Sequence, residues 1–201
     1  TAYNRGLDYA GQGDYENAIE EYDQAIRLNP QDADAYYNRG VAYGDLGQYE
    51  RAIEDYDEAI RLNPQYAKAY LNRAIAYRNL SQYERAIEDS DEAIRLNPSL
   101  KAYLNRGLAY AALGQYNRAM QDHDEGIRLD PQLAMAYVSR GLAYAALGQY
   151  ERAIEDFDEA IRLDPQLAEA YYTRGVVYGV FGKSDEAERD FAKAKELGYD
   201  P

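Results

Sequence analysis

Residues 33–66 read ADAYYNRGVAYGDLGQYERAIEDYDEAIRLNPQY. The stretch falls into two halves, each with helical periodicity. In the first, Ala33 to Leu46, the residues Tyr36, Gly40 and Tyr43 share a face at i, i+4 and i+7. Gly47 follows, a residue able to take the left-handed conformation that ends a helix. In the second half, Glu50 to Leu62, the residues Ala52, Tyr56 and Ala59 share a face, with Ile53 and Ile60 beside it. Asn63-Pro64 stops it, because proline lacks an N–H and disfavours helix in the residue before it. The expected unit is a helical hairpin with two short loops.

Near copies of this stretch end at Pro30, Pro98, Pro131 and Pro165. The spacing between successive prolines is 34 residues, except for 33 from Pro98 to Pro131. A fixed period of this size marks a repeat array. The repeats run over about 1–32, 33–66, 67–99, 100–133, 134–167 and 168–201, read as one continuous array. Small residues recur at Gly6, Gly40, Ala74, Gly107, Gly141 and Gly175, and again at Ala18, Ala52, Ala86, Ala119, Ala153 and Ala187. Tyr36, Gly40, Tyr43, Gly47, Tyr49, Ala52, Tyr56, Ala59 and Pro64, at this spacing, resemble the tetratricopeptide repeat. Tyr36 stands where that family usually has Trp, and Arg39 where it usually has Leu. The resemblance implies an all-α, right-handed superhelical solenoid of six helix-turn-helix repeats. First helices would line a concave groove, and second helices would form the convex back.

The first-helix face that carries Ala35, Ala42 and Leu46 carries Thr1, Asp8 and Gln12 in repeat 1. The second-helix columns of Ile53 and Ile60 reach Glu188 and Lys195 in repeat 6. Terminal units of such arrays need polar outer faces, so both ends are expected to be caps, with the middle counterparts buried. Repeat 3 is irregular. Ala74 and Ser81 stand where glycine is usual, and Ser90 stands where Tyr22, Tyr56, His123, Phe157 and Phe191 place a ring. The lost ring is expected to leave a cavity or a weakened unit.

The chain has no cysteine, one histidine and a formal net charge of −14. A phosphate backbone would be repelled, so nucleic acid is not an expected partner. No apolar run approaches a membrane span, and no basic-then-apolar segment opens the chain. The expectation is a cytoplasmic monomer with no cofactor. His123 lies in the column of core rings, and no Ser–His–Asp spacing includes Ser81, Ser90, Ser99, Ser139 or Ser184, so no catalytic residue is assigned. The acids of residues 50–58 lie around a helix and do not converge, so no metal ligand is assigned either. They read as a solvated face paired locally with Arg51 and Arg61.

Two charged columns recur on packing faces. Arg5, Arg39, Arg73, Arg106, Arg140 and Arg174 face apolar neighbours; Glu21, Asp55, Asp89, Asp122, Asp156 and Asp190 edge the second-helix stripe. Either charge alone is costly there, so structural ion pairs are expected between Arg39, Arg106 and Arg140 and Asp55, Asp122 and Asp156 or a neighbour's equivalent. The groove face carries Asn4, Asn38, Asn72 and Asn105, flanked by Tyr3, Tyr37, Leu71 and Leu104. An amide that donates and accepts suits either a peptide backbone or a bond between repeats, and both readings stand. Lys68, Arg78 and Lys101 interrupt the acidic background of repeats 3 and 4. In the family's chaperone-tail clamp, Asn and Lys occupy the positions of Asn38 and Lys68. Tyr3 and Leu7, or Tyr37 and Val41, replace its first Lys and Asn, so only a partial preference for a carboxylate carries over. The function read from these features is a non-enzymatic protein–protein interaction scaffold that binds a peptide, acidic or carboxyl-terminal, in its groove. The alternative is a self-associating spacer or assembly module.

Overall fold

The computed structural model describes residues 1–200, and among these it contains helices and no strand. It divides into two compact units, Thr1–Pro98 and a second beginning at Ser99. The first holds α1 (Ala2–Gly11), α2 (Tyr15–Leu28), α3 (Ala33–Asp45), α4 (Tyr49–Leu62), α5 (Ala67–Asn79) and α6 (Tyr83–Leu96). The second holds α7 (Leu100–Ala112), α8 (Tyr116–Leu129), α9 (Ala134–Ala146), α10 (Tyr150–Leu163), α11 (Ala168–Val180) and α12 (Ser184–Glu196). In both, consecutive helices pair into hairpins, and the second helix of one hairpin packs on the first helix of the next. The first helices also touch in sequence, α1 to α3 to α5 and α7 to α9 to α11, so each unit presents a face made of first helices.

The helix ends follow from local chemistry. Leu46 caps α3, and Gly47 follows with φ of 72°. The Gln48 N–H then bonds the Tyr43 carbonyl at 2.8 Å, and that of Gly47 bonds Gly44 at 2.9 Å, which satisfies carbonyls the helix leaves open. Ser81 holds this position in repeat 3 with φ of 58°, the one non-glycine residue at positive φ among those described. The Asp14, Asp32 and Ser99 side chains accept backbone N–H groups at the starts of α2, α3 and α7.

The two helices of a hairpin are locked by a glycine against a ring. A Cβ built on Gly40 would lie 2.7 Å from the Tyr56 ring. The same holds for Gly6 on Tyr22, Gly107 on His123, Gly141 on Phe157 and Gly175 on Phe191, at 2.6 to 2.9 Å. Only glycine permits this approach. Repeat 3 departs at both positions together: Ala74 and Ser90 are each fully buried. Ala74 carries a methyl where the other repeats have glycine, and Ser90 lacks the ring that glycine admits elsewhere, so the two positions of this contact differ together in repeat 3.

Thr1, Asp8, Gln12, Glu188 and Lys195 are exposed, whereas Ala35, Ala42, Ala69 and Ala76 are buried. Ile53, Ile60, Ile87 and Ile94 are only half-buried, because they flank the stripe that Ala52, Tyr56 and Ala59 centre. Phe191 is 37% exposed, against 0% for Phe157.

His123 is fully buried, and neither ring nitrogen has a hydrogen-bond partner. Burial pulls its pKa from 6.5 down to about 4. The unfolded chain therefore binds a proton that the folded chain refuses as pH falls through that window, and stability is lost.

Two outcomes test this packing. Ser90→Tyr alone should destabilise by about 1–3 kcal/mol through overpacking against Ala74, and adding Ala74→Gly should recover most of that loss in denaturant melts. His123→Phe should stabilise, with an advantage over the parent that grows by about 2 kcal/mol between pH 7.5 and pH 5. A pH-independent advantage would contradict the buried neutral imidazole.

Candidate functional site: the first-helix faces

The face left for a ligand is defined by what the other faces use. Arg39, on α3, aims its guanidinium at α4 and donates to both Asp55 oxygens, at 2.9 and 2.6 Å. Its remaining Nη donates to Asp23 on α2, at 2.5 Å. One side chain thus ties three helices and two repeats. Arg73 grips Asp89 and Asp57 in the same way, Arg140 grips Asp156 and Asp124, and Arg174 grips Asp190 and Asp158. Arg106 forms the bidentate pair with Asp122 at 2.9 and 2.6 Å. In repeat 1, Arg5 pairs with Glu21 and Gln24. Asp55, Asp122 and Asp156 are buried, and the arginines are about four-fifths covered. Burial opposes the Arg39 charge, but the bonds to Asp55 and then Asp23 outweigh it and raise its pKa.

The second acid of the Arg39, Arg73, Arg140 and Arg174 clamps escaped the sequence reading, which placed Asp57 on a solvated face. A signal for it exists: Asp23, Asp57, Asp124 and Asp158 each precede an arginine by 16 residues, the offset at which Asp55 follows Arg39. The tyrosines complete the clamp. Arg39 lies 5.6 Å from the Tyr36 ring centre, and Arg73, Arg106, Arg140 and Arg174 each lie within 6.0 Å of two tyrosine rings. Of the local pairs read from the sequence, Arg61 bonds Glu58, with equivalents at Arg95 and Arg162, whereas Arg51 donates to the Gln48 amide oxygen and lies 5.5 Å from the Tyr43 ring centre.

The asparagines divide. Asn38 donates one amide hydrogen to the Tyr3 hydroxyl and the other to the Asp34 carbonyl, both at 2.9 Å. Asn72 donates to the Tyr37 hydroxyl at 3.0 Å. Asn105 is buried, while Asn4 is exposed. In the first unit the amides thus link neighbouring repeats through tyrosines on the same face. The Tyr66 ring packs tilted at 34° against Tyr37, with ring centres 4.8 Å apart, and its hydroxyl donates to Asp34 at 2.6 Å. Burial and then that carboxylate raise the Tyr66 pKa. Leu71 and Leu104 are half-buried. Lys68 and Lys101 are exposed in the first turns of α5 and α7, and Arg78 is half-buried.

What remains open is an apolar row, one side chain per repeat. In the second unit Leu108, Leu142 and Val176 are 37%, 43% and 42% exposed, and Val180, one turn beyond Val176, is 62% exposed. Ala112 and Ala146 continue the strip. In the first unit the row is Leu7, Val41 and Ile75, with Leu7 41% exposed and the other two half-buried. Among the described residues no group of three or more His, Asp or Glu is placed to hold a metal, and no helix is long and apolar enough to cross a membrane.

This arrangement agrees with comparisons to known proteins. A family model described as TPR repeat matches residues 6–47, 107–148 and 141–179. Models described as tetratricopeptide repeat match 33–66, 67–100 and 168–197. No curated protein matches the chain by sequence. Among solved structures it is similar to YrrB, described as a TPR protein with an unusual peptide-binding site. That match has 25% identity and a TM-score of 0.72 over 90% of this chain and 93% of the other. MamA from Desulfovibrio magneticus matches at 27% identity and a TM-score of 0.76, over 82% of this chain and 94% of that one. Pseudomonas aeruginosa pilF, at 21% identity, shares the fold with a TM-score of 0.83 over 98% and 90% of the two chains. With family models matching nearly every repeat, the chain belongs to the tetratricopeptide repeat family.

Proposed function

We propose that the chain is a protein-interaction scaffold in which the first-helix faces hold a peptide segment of a partner. The observation that carries this reading is a row of aliphatic side chains at one helical position, exposed at Leu7, Leu108, Leu142 and Val176 and half-buried at Val41 and Ile75. Single exposed apolar residues are ordinary on any surface. Within each unit, such a row repeated at one helical position, on a chain of net charge −14, makes an apolar track on an acidic background. Such a track suits the apolar side of an extended or helical peptide. The Tyr3 and Tyr37 hydroxyls, oriented by Asn38 and Asn72, offer polar contacts beside it in the first unit. Lys68 in one unit and Lys101 in the other each offer an ammonium beside a helix N-terminus, where an acidic side chain or terminal carboxylate is favoured. The similarity to YrrB, a TPR protein with an unusual peptide-binding site, supports the same reading.

Selection of a random displayed peptide library against the parent, repeated against Leu142→Ser/Val176→Ser, tests it. Peptides recovered by the parent should carry apolar residues and bind the double variant at least tenfold more weakly, with an unchanged melting temperature. Equal affinity for the variant, or concentration-dependent self-association with no recovered peptide, would contradict it.

A further inference from the structure

The first unit holds a cleft of about 340 Å³ between α3, α4 and α5. Its walls are Val41 and Ile75, and its far end carries Asp45, Asn79 and Tyr49. The floor is opened by Gly44: a Cβ there would sit 3.7 Å from the buried Tyr56 hydroxyl, in ordinary contact, and would fill space above it. The corresponding residues of the other repeats are Ala10, Arg78, Ala111, Ala145 and Gly179. The residues corresponding to Asp45 are Gly11, Asn79, Ala112, Ala146 and Val180. Glycine, a floor tyrosine, a carboxylate and a neighbouring amide coincide only in this repeat.

Asp45 is exposed, and unlike Asp23 and Asp55 it is not engaged by Arg39. It stands at the C-terminal end of α3, where the helix dipole also favours a cation. Burial, with the charge of Asp45 among the lesser causes, holds the Tyr56 hydroxyl protonated. Apolar walls leading to a carboxylate, an amide and a tyrosine match one kind of side chain: a long aliphatic stem with a cationic head.

We infer that this cleft receives a basic side chain, arginine or lysine, of the bound peptide. Its stem lies between Val41 and Ile75, and its cation meets Asp45 and Asn79 beside Tyr49. A chain of net charge −14 steers such a ligand toward itself. This rests on the reading that the first-helix face holds a peptide, and assigns one position of that peptide.

The test uses two small probes, N-acetyl-arginine amide and its uncharged isostere N-acetyl-citrulline amide, titrated into the isotope-labelled full chain. The arginine compound should shift the backbone amide resonances of Gly44, Asp45 and Asn79 saturably and bind at least tenfold more tightly than the citrulline compound. Asp45→Asn, a change at an exposed site, should make the two bind alike with the melting temperature preserved. Gly44→Leu should weaken the arginine compound by closing the floor. Equal binding of both compounds to the parent, or no localised shifts at tens of millimolar, overturns the inference. Because the probes contain no peptide track, arginine binding here with no peptide recovered by display would refute only the scaffold reading. Recovered peptides together with a silent cleft would refute only this inference.

Discussion

The structure depends on a guanidinium held between two carboxylates of successive second helices. Arg39 spends its fork on Asp55 within the hairpin and its third nitrogen on Asp23 of the hairpin before. Helical hairpins of this kind bury much alanine and little large aliphatic surface, as the core residues show. Small residues give close approach but little orientation, because alanine columns pack almost equally well after a slip. A bidentate pair has one good geometry. Removing one member leaves a buried charge at a cost of about 3–5 kcal/mol, so the pair also resists misregister.

Glycine against ring sets the spacing that the clamp then orients. Where Gly107 meets His123, the ring is held at the same distance as at Phe157 but carries two buried, unbonded nitrogens. Geometry is conserved there at the expense of acid tolerance. With both the clamp and the ring facing inward or backward, the first helices are free to carry side chains that packing does not dictate. The difference between Asp45 and Asn79 on one unit's face and Ala112, Ala146 and Val180 on the other's lies in that free column. The two faces therefore differ in chemistry while their helix pairs share one scaffold.

Most of the fold was legible because periodicity and punctuation act locally. Gly47 and Pro64 end their helices within a residue of the expected place, and Tyr49 merely extends α4 by one residue. The Arg39 and Asp55 columns were readable because buried charges demand partners. Less was legible where two distant residues trade against each other. Ala74 and Ser90 occupy the two positions that form the glycine-to-ring contact in the other repeats, a link that only coordinates expose. The asparagine column was ambiguous because an amide serves a ligand or a neighbouring tyrosine equally well, and only coordinates reveal the Tyr3 and Tyr37 hydroxyls beside Asn38 and Asn72. The cleft at Gly44 was invisible in sequence because it requires three helices to enclose it.

The most direct measurement of the clamp is a double-mutant cycle across the repeat boundary, combining Arg39→Met with Asp23→Asn and reading stability from urea unfolding. If the third nitrogen orders one hairpin on the next, the two changes should be coupled by about 1–3 kcal/mol. Additivity within about 0.5 kcal/mol would show that Asp23 is a bystander and that hydrophobic packing alone sets the repeat-to-repeat geometry.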